Sequence, residues 1–181
     1  MCVREALRRS LQALRENNVP SPDLAAELLL MHVVGCDRAR LHASPEEPLP
    51  AGAAERYFKL IAERITGKPT QYITGRQEFW GLDFEVTPDV LIPRRETEHL
   101  VEAVLEIIRE QGPEAGARCR IVDVGAGSGC IALALASELS DAAIYSTEIS
   151  FAALRVARRN AVRLGLADRV QFREDDLLAS F

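Results

Sequence analysis

The sequence predicts an α/β protein made of an N-terminal helical bundle, a β-hairpin linker, and a parallel sheet with crossover helices. Apolar residues recur at helical spacing through the first 68 or so positions. From Ile121 onward, short apolar strands alternate with amphipathic helices across short loops, the pattern of βαβ units. Between the two lies a stretch in which aromatic and β-branched residues alternate with polar ones around a glycine. These changes of period divide the chain into a helical domain at 1–68, a hairpin linker at 69–93 and an α/β domain at 94–181.

Composition removes several classes of function. With 48% apolar and 27% charged residues among 181, the chain is globular rather than disordered. Its net charge of −5 is carried by residues 71–181, with 12 basic and 18 acidic side chains, and no basic stripe runs along it, so direct nucleic-acid binding is not expected. No uninterrupted apolar run is long enough to span a bilayer, so no membrane partner is expected. Met1–Leu14 carries arginines within an amphipathic pattern and does not read as a signal peptide. Cys2, Cys36, Cys119 and Cys130 form no CxxC pair, and His32, His42 and His99 are dispersed. No metal site is expected, and scattered thiols fit a reducing, cytoplasmic location.

The elements follow in order. Val3, Leu7, Leu11 and Leu14 form one helical stripe. Ser21-Pro22 is a start signal, serine as cap and proline in the first turn, and Leu24, Leu28, Leu29 and Val33 continue to a stop at Gly35. Three prolines make Ser44–Pro50 a loop. A third helix carries Ala53, Tyr57, Leu60, Ile61 and Ile65 on one face and ends at Gly67-Lys68-Pro69. Gln77–Trp80 and Leu82–Val86 flank Gly81 as a hairpin. Pro88 and Pro93 bracket an extended Val90-Leu91-Ile92. Glu96–Glu110 is a helix with Leu100, Val101, Val104, Leu105 and Ile108 as its stripe, and Gly112–Gly116 is a turn. Strands are predicted at Ile121–Val124, Ala143–Thr147 and Val170–Arg173, and helices at Cys130–Leu139 and Phe151–Leu164.

The richest local signal is Asp123-Val124-Gly125-Ala126-Gly127-Ser128-Gly129, at the first strand-to-helix turn. Glycines at 125, 127 and 129 let the backbone approach a ligand closely and adopt positive φ, and the following helix directs its unpaired amides toward it. A dinucleotide fingerprint would place its third glycine at 130, which is cysteine here. An acid two residues before the first glycine suits a ligand bearing an amine and a sulfonium. The pattern is similar to the S-adenosylmethionine loop of class I methyltransferases. On that reading Asp123, Gly125, Ala126, Gly127, Ser128 and Gly129 cradle the cofactor. Glu148, closing the second strand, accepts bonds from the ribose hydroxyls. Asp176 receives the adenine amino group, with Leu177 against the ring.

The segment Gly75–Thr97 narrows the resemblance. Its Glu78-Phe79-Trp80-Gly81 and Leu91-Ile92-Pro93-Arg94 runs resemble the release-factor glutamine methyltransferases, which join a helical domain, a hairpin and a Rossmann-like domain in this order. The family has proline where Arg95 stands, while Glu96 and Thr97 are retained. The resemblance implies methyl transfer from S-adenosylmethionine to the glutamine side-chain amide of the Gly-Gly-Gln loop in class 1 peptide chain release factors, by a cytoplasmic monomer. It places Phe79, Trp80, Ile92, Pro93 and Arg94 along the substrate channel. The alternative readings are Phe79, Trp80 and Phe84 as core between the two domains and Arg94 as the partner of an acid such as Glu98. It also implies an Asn-Pro-Pro-Tyr acceptor motif, which does not occur in these 181 residues. The chain therefore reads as the first half of the Rossmann-like domain, a fragment whose catalytic residues are not visible. A non-catalytic module that binds the cofactor or release factor, and a nucleic-acid adenine methyltransferase, are the competing readings.

Overall fold

A computed structural model describes residues 1–112 and 119–179. Two compact units result, Met1–Thr74 and Gly75–Phe181. The turn expected at Gly112–Gly116 lies, beyond Gly112, outside the described residues.

The first unit contains helices α1 (Val3–Glu16), α2 (Pro22–Val34), α3 (Arg38–Ala43), α4 (Ala53–Ile65) and α5 (Thr70–Thr74). The three long ones meet in a core of Leu14, Leu29, Leu30, Tyr57 and Ile61. A buried tyrosine needs a partner for its hydroxyl. Tyr57 Oη sits 2.5 Å from Ser10 Oγ and donates to the Ala26 carbonyl at 3.0 Å, joining all three long helices. Burial pushes its phenol up to about 12, so it stays neutral and can keep donating.

The α1 stripe is rotated from the expected one. Val3, Ala6, Ser10 and Leu14 are buried, while Leu7 and Leu11 are only half-buried. The small Ala6 and Ser10 allow close helix approach, which a reading weighted toward leucines misses. Leu24 is likewise exposed rather than part of the α2 stripe, and Ala25, Ala26, Leu29 and Leu30 are buried instead. Ser21 is not a side-chain cap. It takes a left-handed conformation, φ 49°, and its side chain makes no cap hydrogen bond. The Ser44–Pro50 loop is tied down. Pro45, Glu47 and Leu49 exchange backbone bonds with Arg4, Val3 and Met1, satisfying amides at the start of α1. Two short helices, α3 and α5, were not expected. Asp37 caps α3 by accepting from the Arg40 amide at 2.7 Å. Because α5 packs on α2 and α4, the helical unit continues through Thr74 rather than stopping near residue 68.

The second unit opens with an antiparallel hairpin of β1 (Arg76–Phe79) and β2 (Leu82–Glu85). It is no free linker. Phe79 and Phe84 pack edge to face, centroids 6.3 Å apart, inside the core of this unit. Thr87–Val90 forms a turn, closed by the Val90 amide on the Thr87 carbonyl, in place of an extended segment at Val90. A 3-10 turn, Arg95–Thr97, precedes α6 (Glu98–Glu110), which therefore begins two residues later than expected. Leu100 of α6 is exposed; Val101, Leu105 and Ile108 make the buried stripe.

Then come β3 (Arg120–Val124), α7 (Cys130–Glu138), β4 (Ala143–Glu148), α8 (Phe151–Arg163) and β5 (Val170–Glu174). The strands are parallel in the order β3-β4-β5, joined by the crossover helices that parallel pairing requires. α7 is apolar almost all round, with Ala132–Ala136 buried, as expected of a central helix. Pairing of Asp123 with Ser146 and of Glu148 with Glu174 aligns the carboxyl ends of the three strands, where α/β sheets place their ligands.

Candidate functional site

The turn after β3 folds back onto the end of β4. The amides of Gly125 and Ala126 both donate to the Thr147 carbonyl at 2.8 Å, and the Gly129 amide donates to Ala126 at 2.7 Å. Gly127 N–H donates to Glu148 Oε2 at 2.9 Å, and Ser150 N–H to Glu148 Oε1 at 2.9 Å. Glu148 thus fixes the glycine turn from the neighbouring strand. A carboxylate has about four lone-pair positions, so two remain after these bonds for a ligand with paired hydroxyls.

All three glycines of the turn have positive φ, but for different ends. A β-carbon on Gly125 or Gly127 would meet nothing within 4 Å. One on Gly129 would press on Ala157 Cβ and Leu133 Cδ1 at 3.2 Å and Phe172 Cζ at 3.3 Å. Gly129 lets the start of α7 seat against α8 and β5. Gly125 and Gly127 keep an open space in front of the turn, and this space is the test of fit for a cofactor.

Asp123 lies within that surround. Its Oδ2 accepts from Ser146 Oγ at 3.1 Å. Burial pushes its carboxyl up to about 6, only partly opposed by that hydroxyl. A half-buried acid of this kind is stabilised as carboxylate by a nearby cation, such as the ammonium and sulfonium of S-adenosylmethionine would provide. Cys130, next along, is raised to about 11 by burial, which makes its thiol a poor nucleophile. Past β5, the Asp175 amide donates to the Glu148 carbonyl at 3.2 Å, placing Asp176 and Leu177 after the same sheet end. Both are exposed, and Leu177 adopts a left-handed φ of 56°. Such a conformation costs about 1–3 kcal/mol and clusters at ligand sites.

The residues expected along a substrate channel separate. Phe79 is 1% exposed and belongs to the core, so it lines no open channel. Trp80 is half-buried at the hairpin tip, with φ 55°. Its amide donates to Glu98 and its indole N–H to Glu138 at 2.9 Å. Ile92 is half-buried, Pro93 buried and Arg94 exposed. Among the described residues, no group of acids, histidines or cysteines is placed to hold a metal, and no helix is long and apolar enough to cross a membrane.

Sequence reading missed Ser146, Ser150 and Asn160, all of which bond to the site's backbone or acids. Asn160 had a signal: it is a polar residue on the buried stripe of α8, in line with Ala153, Val156, Ala157 and Ala161.

Comparison with known proteins matches both parts of the chain. Residues 5–75 match the family described as PrmC N-terminal domain, and 100–181 the methyltransferase small domain. A release factor glutamine methyltransferase of Koribacter versatilis is 48% identical over 180 residues, covering 99% of this chain and 62% of the relative. One from Moorella thermoacetica is 48% identical over 179 residues, with the same two coverages. One from Chlorobaculum tepidum is 40% identical over 178 residues, 98% of this chain and 60% of the relative. The chain thus spans less than two thirds of the length of these relatives.

A parallel sheet with a glycine turn after its first strand, an acid after its second, and a methyltransferase-domain match define a Rossmann-like methyltransferase domain, whose class uses S-adenosylmethionine. Along nearly all its residues the chain is similar to release factor glutamine methyltransferases, at 48% identity to two of them.

Proposed function

We propose that this chain binds S-adenosylmethionine at the Asp123–Gly129 turn and serves methylation of the Gly-Gly-Gln glutamine of class 1 release factors. The observation that carries the reading is 48% identity over 99% of the chain to a release factor glutamine methyltransferase. The open turn with its half-buried acid at Asp123 supplies the physical support.

S-adenosylmethionine supplies an electrophilic methyl group on its sulfonium. The chain's own residues hold and orient. Gly125, Ala126, Gly127, Ser128 and Gly129 shape the cradle, and Asp123 supplies negative charge to the cationic end. Glu148 offers its remaining lone pairs to the ribose hydroxyls. Asp176 and Leu177 take the adenine edge and face. A glutamine amide is a weak nucleophile because its lone pair is delocalised into the carbonyl. Rate therefore comes from alignment and from acceptors on the amide hydrogens rather than from a strong base. Trp80, Ile92, Pro93 and Arg94 are the residues of this chain assigned to the substrate side.

Calorimetric titration with S-adenosylmethionine tests the cofactor half, and saturable one-site binding is expected. The substrate half is tested in a chimera completed with the part of the Koribacter versatilis relative that this chain does not span. Given methyl-labelled cofactor, unmethylated class 1 release factor and DNA, label on the Gly-Gly-Gln glutamine is expected. Label on adenine bases would overturn the assignment.

A further inference from the structure

Asn160 lies in the C-terminal half of α8, is fully buried and makes three hydrogen bonds, all to backbone. Its Oδ1 accepts from the Glu85 amide at 2.7 Å. Its Nδ2 donates to the Glu85 carbonyl at 3.0 Å and to the Ser128 carbonyl at 2.9 Å. Toward the hairpin, this one side-chain amide behaves as a strand residue would, exchanging a donor and an acceptor with Glu85 at the end of β2. Toward the turn it holds the carbonyl between Gly127 and Gly129.

We infer that Asn160 is a positioning residue that joins the glycine turn to the hairpin, so that cofactor binding at the turn and order in the hairpin depend on each other; the cofactor half of this inference rests on the function proposed above. The surroundings support the joint. Arg159 pairs in a bidentate manner with the Glu85 carboxylate, and Arg163 donates to the Asp83 carbonyl, so adjacent residues of α8 grip the same strand. One turn earlier, Ala157 is the surface on which Gly129 rests. α8 therefore seats the glycine turn at two points, Ala157 under Gly129 and Asn160 on Ser128. The hairpin cannot leave α8 without breaking the bonds of the side chain that also holds Ser128. Both amide hydrogens and one lone pair of the oxygen are used, so loss of the side chain leaves three buried backbone groups without their partner. By linkage, a cofactor that prefers the held turn must also favour the held hairpin, by an equal factor.

The test is Asn160→Asp, nearly the same in shape. It retains an acceptor for the Glu85 amide and loses both donors, setting an oxygen against two carbonyls. Hydrogen exchange without cofactor is expected to speed up at Gly125–Gly129 and at Glu85–Val86 together, with α1–α4 unchanged. The dissociation constant for S-adenosylmethionine is expected to rise roughly 5- to 30-fold, the size of one or two lost hydrogen bonds. In the unaltered protein, cofactor should slow exchange at Glu85–Val86, and in the variant it should not. Arg159→Gln, which removes the exposed clamp on Glu85 and leaves the Asn160 bonds in place, should raise exchange at Glu85–Val86 and at Gly125–Gly129 together, by less than Asn160→Asp. A rise confined to Glu85–Val86 would overturn the inference. A uniform rise in exchange across the second unit would reduce Asn160 to an ordinary core residue and overturn the inference. If the unaltered protein bound no S-adenosylmethionine, the cofactor reading would fail, while the paired rise in exchange would still decide whether Asn160 joins turn and hairpin. Should Asn160→Asp not fold, Asn160→Ser removes the same donors without a charge and is read in the same way.

Discussion

Gly129 and Gly127 carry the same residue type for opposite reasons, and alanine at each separates them. At Gly129, φ is 81°, and a β-carbon would lie 3.2 Å from Ala157 Cβ and from Leu133 Cδ1. Left-handed backbone costs a non-glycine residue about 1–2 kcal/mol, and overpacking a filled core adds roughly 1–3 kcal/mol. Gly129→Ala should therefore destabilise the second unit by about 2–5 kcal/mol. At Gly127, φ is 53° and nothing lies within 4 Å. Only the backbone contribution applies, about 1–2 kcal/mol, but the new methyl group projects into the space assigned to the cofactor. Gly127→Ala should thus be destabilised by only about 1–2 kcal/mol, less than Gly129→Ala, yet bind S-adenosylmethionine more than about tenfold more weakly. Gly127→Val should abolish binding and leave the helical unit folded. Urea unfolding followed by circular dichroism gives the first quantity and calorimetry the second. If Gly127→Ala bound the cofactor normally, or if Gly129→Ala were the less destabilising of the pair, the assignment of open and closed faces to this turn would be wrong.

Asp123 predicts a pH dependence. A carboxyl raised to about 6 favours the fold while protonated, and that contribution is lost as pH rises through 6. A cationic ligand reverses the preference by stabilising the carboxylate. Affinity for S-adenosylmethionine should therefore fall as pH drops below about 6, by up to about tenfold per unit; Asp123→Asn should flatten the curve, and a profile unchanged by it would separate Asp123 from the cofactor. Glu148→Ala should weaken cofactor binding by about 1–3 kcal/mol, because it loses the ribose acceptors and frees the Gly127 and Ser150 amides. A loss well below that range, measured by calorimetry, would remove Glu148 from the ribose. Tyr57→Phe should destabilise the helical unit by about 1–3 kcal/mol, since the Ala26 carbonyl loses its buried donor. Cofactor affinity should not change, and a change would mean that Tyr57 serves the site as well as the core.

Much of the fold was legible because its signals are local. The strands at Ile121–Val124 and Ala143–Thr147 follow from short apolar runs, and the turn between Asp123 and Gly129 from its glycine spacing. What escaped depended on distant partners. Ser21 looks like a cap, yet its backbone is left-handed and its side chain makes no cap hydrogen bond. Leu24 and Leu100 fit a helical period, yet about half of each stays exposed, while Ala6 and Ser10 are buried through close helix contact. Phe79 resembles a channel residue by family position, but only the fold reveals Phe84 against it. Asn160 is the sharpest case, since its meaning resides in Glu85 and Ser128, far away along the chain. Glycine and acid positions of the turn were readable; the clamp behind them was not.

The central claim, that the Asp123–Gly129 turn is an S-adenosylmethionine site, is tested most directly by titrating the cofactor into the chain and into Gly127→Val, with exchange at residues 125–129 followed in parallel. Saturable one-site binding that protects those amides, lost in the variant while α1–α4 remain folded, is the predicted result. Absence of binding to the unaltered chain, or equal binding to the variant, would contradict it.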